Sequence, residues 1–212
     1  MTKSVLVCFG DSWPEGAELG NGRRYGEILR DRMGFDQFYN YGSAGASNED
    51  MAYQMQAFLR DHWYLGHEIT ALFFLTNPAR TAHWPRFFDW NHDLAQTRDI
   101  FQHFHRADHE VMRSSLTVSA LQHWSDAHAI RDFYFAGWVR YPTWLPGVDV
   151  SRIWRAGAET CADWFGASDH NGECLINVEN NPYIRPNRAH PNQLGHDLIA
   201  DKLEAWIRTR PA

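Results

Sequence analysis

The sequence predicts an α/β protein, with a parallel sheet covered on both faces by helices. Three observations carry this expectation. Short runs that are apolar on both faces, such as Ser4–Phe9 (SVLVCF) and 68–76 (EITALFFLT), read as buried strands. Segments with helix caps and helical apolar spacing alternate with these runs, as parallel strand connections require. The length of 212 residues suits one such domain, and a chain this long buries enough surface to need no cross-links.

The elements follow in order. The first strand, 4–9, is ended by Gly10, and residues 21–33 read as a helix that stops before Gly34. A second strand is expected at 36–42 (DQFYNYG). Residues 47–63 begin with Ser47 as a cap and carry acidic residues in the first turn, so they read as a helix. The third strand is 68–76, the fourth 131–139 (RDFYFAGWV) and the fifth 173–178 (ECLINV), which makes a five-stranded sheet. Further helices are expected over 92–125, 151–165 and 192–209. The last carries the apolar stripe Leu194, Leu198, Ile199, Leu203, Trp206 and Ile207. The stretch 79–130 is the longest interval between strands and is rich in His, Trp and Phe. It is expected to form a helical insertion over one edge of the site, within a single domain spanning 1–212.

Composition narrows the function. A formal net charge of −6, with no long basic run, argues against a nucleic-acid partner. Cys8, Cys161 and Cys174 are odd in number and lack C-x-x-C spacing, so neither a disulfide framework nor a zinc site is expected. The apolar run at the start is too short for a signal peptide, and no stretch approaches a membrane span; a soluble, cytoplasmic protein with no membrane partner is the expectation. His105 and His109 would share a helix face beside Asp108, but no third ligand stands at a convincing spacing, so no metal is expected. The ten tryptophans could line a sugar or acyl pocket, although core packing accounts for most of them.

In parallel sheets ligands bind outside the carboxyl ends of the strands. Gly10-Asp11-Ser12 follows the first strand, and GSAGASNED, with Gly42 and Gly45, follows the second. Thr76-Asn77-Pro78 follows the third. After the fifth come Glu179-Asn180-Asn181 and then His190, fixed by a Pro/Asn-rich turn at the mouth of the last helix. Taken singly, these are ordinary turn, cap and loop residues. Taken as a set they supply a nucleophile, two kinds of oxyanion donor and a base.

That ordered set resembles the SGNH (GDSL-type) hydrolases, named for Ser, Gly, Asn and His in four sequence blocks. The blocks here are VCFGDSW, YNYGSAGASNED, FLTNP and NRAHPNQLGH, in the family's order and over nearly the whole chain. The resemblance implies a flavodoxin-like three-layer α/β/α sandwich. It also implies ester hydrolysis or acyl transfer on a small-molecule or carbohydrate ester, with no metal or cofactor. Carried over residue by residue, Ser12 is the nucleophile and His190 the base, while Ser12, Gly45 and Asn77 form the oxyanion hole. Two departures stand out. The third block lacks the family's glycine and final Asp, with Thr76 and Pro78 flanking Asn77. The family's acid, three residues before the histidine, is Asn187 here. Three outcomes are open. The enzyme runs as a Ser12–His190 dyad at reduced rate, with Asn187 either accepting from the imidazole N–H through its amide oxygen or presenting its NH₂ and trapping the wrong tautomer; another carboxylate substitutes, Glu179 first and Asp169 second; or the chain is a silent carbohydrate- or acyl-binding domain.

Overall fold

The computed structural model describes residues 2–62, 66–77, 107–141, 143–166, 168–170, 173–175, 180–185 and 190–210. Its centre is a four-stranded parallel sheet of β1 (Ser4–Phe9), β2 (Gln37–Asn40), β3 (Glu68–Leu75) and β4 (Arg131–Ala136), in the order β2-β1-β3-β4. Val7 lies opposite Tyr39 on one side and Ala71 on the other, and Leu72 lies opposite Phe133.

Alternation along the strands builds two cores. Leu6, Cys8, Leu72, Phe74, Phe133 and Phe135 face one way, against helices α2 (Tyr25–Met33) and α6 (Gln193–Arg208). Val5, Val7, Phe9, Ala71, Phe73 and Leu75 face the other way, against α3 (Asn48–His62) and α4 (Ala107–Ala127). The result is the expected three-layer sandwich. Among the described residues the other α-helices are the single turns α1 (Ser12–Glu15) and α5 (Cys161–Trp164).

Four of the five expected strands stand where the sequence places them. The fifth is corrected. Residues 173–175 (β6) pair antiparallel with 168–170 (β5) as a separate two-stranded element. His170 opposite Glu173 leaves Asn171-Gly172 between the paired residues, the dipeptide that favours two-residue hairpins. That local signal outweighs the apolar run. The outer edge of β4 is met instead by single bridges from Tyr134 to Ile153 and from Ala136 to Thr160. The helix expected over 151–165 is two 3₁₀ turns and α5, and Leu194 leaves the α6 stripe, being 56% exposed. Of the expected 79–130 insertion, α4 is described, while residues 78–106 lie outside the described residues. No described helix is long and apolar enough to cross a membrane.

One contact between α2 and α6 titrates. The buried His196 Nδ1 accepts from the Tyr25 backbone N–H at 3.3 Å, and the two rings stack at 5.9 Å. Burial, aided by the nearby Arg24 charge, pulls the imidazole down from 6.5 to about 4. Between those pH values the unfolded chain holds more protons than the folded one. Stability is therefore complete above about pH 6.5 and falls as the solution is acidified toward 4. The expected loss is about 2–4 kcal/mol over that window. Denaturant titrations at both ends should show it, and His196→Gln, which keeps an acceptor for Tyr25, should flatten it. An equally steep loss in the variant would refute the assignment.

Candidate active site

The sheet order changes direction between β1 and β3, and ligand crevices form at such switch points. The chain leaves β1 through Gly10, whose φ of +138° and close approach exclude a side chain: an added Cβ would lie 2.8 Å from Phe74 Cβ. Gln54 from α3 holds this glycine on both sides, accepting from its N–H at 2.8 Å and donating to its carbonyl at 2.9 Å.

Asp11 then organises the turn. One oxygen caps α1 by accepting from Trp13 N–H at 3.0 Å, and the other accepts from the Thr76 hydroxyl at 2.9 Å. Both of these contacts hold the turn together. Thr76, which marks the departure in the third block, thereby ties the end of β3 to the Asp11–Ser12 turn. Its N–H donates to the Asn48 side chain at 2.9 Å, and its carbonyl accepts from the buried Tyr141 hydroxyl. Asn48 in turn donates to Tyr141 Oη at 2.8 Å. Burial pushes the Tyr141 phenol well up, which keeps it a neutral donor. Asn77 follows directly from this fixed point.

Ser12 is the first residue of α1 and is nearly buried. Its side chain meets His190: Oγ and Nε2 are 3.0 Å apart across 178 positions of sequence. The histidine is set by its own turn. Arg185 N–H donates to the His190 carbonyl at 2.9 Å, and Asn192 N–H donates to the Tyr183 carbonyl at 2.9 Å. Asn192 also caps α6, accepting from Gly195 N–H at 3.1 Å. Nδ1 of His190 faces Glu18 Oε2 at 3.4 Å. A proton on Nδ1 satisfies both contacts, because Nε2 then accepts from Ser12 while Nδ1–H points at a carboxylate.

The glycine loop after β2 abuts the same turn. Ser43 N–H donates to the Gly10 carbonyl at 3.0 Å, and a Cβ on Gly42 would lie 2.7 Å from Glu15 N. Gly45 is exposed with φ of +79°, a conformation suited to glycine. Ser12, Gly45 and Asn77 therefore stand beyond the carboxyl ends of three adjacent strands.

Of the residues singled out from sequence, Ser12 and His190 are brought into contact. Asn187 and Glu179 lie outside the described residues, as does the side chain of Asp169, whose backbone pairs with Cys174 in the β5–β6 hairpin. His105 also lies outside them, and His109 is exposed. Among the described residues no group of three or more His, Cys, Asp or Glu could hold a metal ion. Sequence reasoning missed Glu18. The signal was weak: a lone carboxylate in the glycine-rich stretch GAELGNG that follows the Ser12 turn.

No protein-family model and no curated protein matches the sequence. Solved structures do match in fold. TesA aligns with a TM-score of 0.58 at 10% identity over 98% of both chains. A GDSL-like lipase from Bacteroides thetaiotaomicron aligns at 0.52 and 14% identity, over 97% of this chain and 88% of its own. The psychrotrophic esterase EstA from Pseudoalteromonas, in a structure inhibited by monoethylphosphonate, aligns at 0.50 and 13% identity over 96% and 98%. The chain thus has the α/β fold found in GDSL-type hydrolases, and at such identities the likeness is one of fold.

Proposed function

We infer that the protein is a serine ester hydrolase of the SGNH type, working through a covalent acyl-Ser12 intermediate. The observation that carries this reading is the 3.0 Å contact of Ser12 Oγ with His190 Nε2 at the sheet's switch point. In this mechanism Oγ attacks the ester carbonyl carbon while its proton passes to Nε2. The oxyanion that forms is met by the N–H groups of Ser12 and Gly45 and by the side-chain amide of Asn77. As the tetrahedral intermediate collapses, the C–O bond breaks and His190 returns the proton to the departing alcohol. A water, deprotonated by the same imidazole, then releases the acid and restores Ser12. No cofactor enters any step.

The substrate class is a carboxylic ester, with an O-acetylated carbohydrate as the specific candidate. Its support is the aromatic content, 15% of residues, since sugar rings stack on such side chains. The test is covalent. A serine-directed fluorophosphonate should add one phosphonyl group, on Ser12, and block hydrolysis of p-nitrophenyl acetate in proportion. Modification elsewhere with Ser12 unmarked, or full hydrolysis after Ser12 is blocked, would overturn the reading. An added alcohol that diverts the acyl group from water would reveal an acyltransferase using the same chemistry.

A further inference from the structure

We propose that Glu18 is the positioning residue for His190, taking the place of the acid that the family pattern puts at position 187. The proposal rests on the reading of Ser12 and His190 given above.

The first argument is geometric. The two imidazole nitrogens face two different groups, Ser12 on Nε2 and Glu18 on Nδ1. Serine deprotonation needs a free Nε2, hence a proton on Nδ1, and a carboxylate is the acceptor that favours that tautomer. The 3.4 Å separation is about 0.4 Å longer than a normal N–H···O bond. When the imidazole gains the serine's proton the donor becomes charged as well, and contacts between opposite charges shorten. The side chains are 23% and 27% exposed, so the pair is partly withdrawn from water and the carboxylate's field is less screened than at the surface. In this role Glu18 orients the imidazole and takes no part in moving the proton.

The second argument is backbone strain. Glu18 sits at φ of +65°, the left-handed region that a side chain disfavours, although Gly16, Gly20 and Gly22 are close by in the same loop. Strained non-glycine residues persist where the surroundings over-determine them, often at functional sites.

The third argument is how the loop is held. Gly16 and Ala17 donate their N–H groups to the Ser12 carbonyl at 3.1 and 3.0 Å, and Leu19 is buried. Farther along, Arg23 N–H donates to Gln193 Oε1 at 2.7 Å, and Gln193 Nε2 donates back to the Arg23 carbonyl at 3.2 Å. Gln193 is three residues beyond His190. The loop that carries Glu18 is thus fastened to the nucleophile at one end and to the histidine's own helix at the other. Asn187 supplies no charge in any placement, whereas Glu18 does.

The experiment compares wild type, Glu18→Gln, Glu18→Gly and Glu18→Gln/Asn187→Asp. It follows both p-nitrophenyl acetate hydrolysis and the rate of Ser12 phosphonylation, with thermal unfolding alongside. Glu18→Gln should slow both rates about 100-fold, less than the roughly 10⁴-fold seen for the buried aspartate of serine proteases. It should also move the acid limb of the kcat/KM profile to lower pH and remove the far-downfield imidazole N–H proton resonance. Restoring the acid at 187 should recover much of the loss. Glu18→Gly relieves the left-handed strain, so it should unfold about 2–4 °C higher while reacting as slowly as Glu18→Gln. A purely structural role would not separate stability from rate in this way. Rates within about threefold of wild type in Glu18→Gln or Glu18→Gly would overturn the proposal. A reactive wild type with unaffected Glu18 variants sinks only this proposal, whereas an unreactive Ser12 in wild type sinks the hydrolase reading and this one together.

Discussion

Ser12→Ala and His190→Ala are each expected to lower ester hydrolysis by about 10⁴- to 10⁶-fold, and the double variant to lose no more than either single one. The 3.0 Å contact makes the two side chains one device. Without the imidazole the hydroxyl keeps its proton, and without the hydroxyl the imidazole has nothing to activate but water. The residual rate in all three variants should be similar, reflecting the donors that surround the oxyanion. Steady-state kinetics on one p-nitrophenyl ester would decide it. Losses that multiply in the double variant would show two independent contributions and contradict the shared role. Folding should be little changed in Ser12→Ala, since the hydroxyl is one small group at the head of a single-turn helix.

Trp13→Ala is expected to cost about 3–5 kcal/mol of stability, the range for deleting a large buried aromatic. Trp13 is almost wholly buried, with ring centroids 5.3 Å from Phe74, 4.5 Å from Trp138 and 5.6 Å from Phe165. It also adjoins Ser12, the proposed nucleophile, so its removal is expected to loosen the turn that holds that side chain. The melting temperature should fall by roughly 10 °C, and Ser12 should react more slowly even at temperatures where the variant is folded. Trp13→Phe keeps a ring in the site and should lose less on both counts. An unchanged melting temperature in Trp13→Ala would contradict the packing described.

Much of this molecule was legible in the sequence, because its signals are local. Buried parallel strands announce themselves as apolar runs, and helix limits by caps such as Asn192 and by glycines such as Gly34. The approach of Ser12 to His190 was legible through the ordered motifs, which stand at carboxyl ends of strands. The fifth strand failed because an apolar run does not name its partner; a short hairpin around Asn-Gly competes with a place in the sheet. Glu18 was hidden for a different reason. Its place against His190 depends on a left-handed residue and on a clamp from Gln193, more than 170 positions away, and no spacing rule encodes either. The exposure of Leu194 is likewise invisible to periodicity: in the same first turn of α6 Gly195 and His196 are the buried residues, so the helix enters the core on the neighbouring face.

The clamp and the Ser12–His190 contact also bear on when the protein becomes able to act. During synthesis β1 and the Ser12 turn emerge before the far partners they need, since His190 follows Ser12 by 178 positions and the helix behind it comes later still. Until that helix docks, Ser12 lacks its contact with His190, and the loop carrying Glu18 is held at its Ser12 end alone. On the proposed mechanism the nascent chain carries an inert hydroxyl, and reactivity is expected only with completion of the layer formed by α2 and α6.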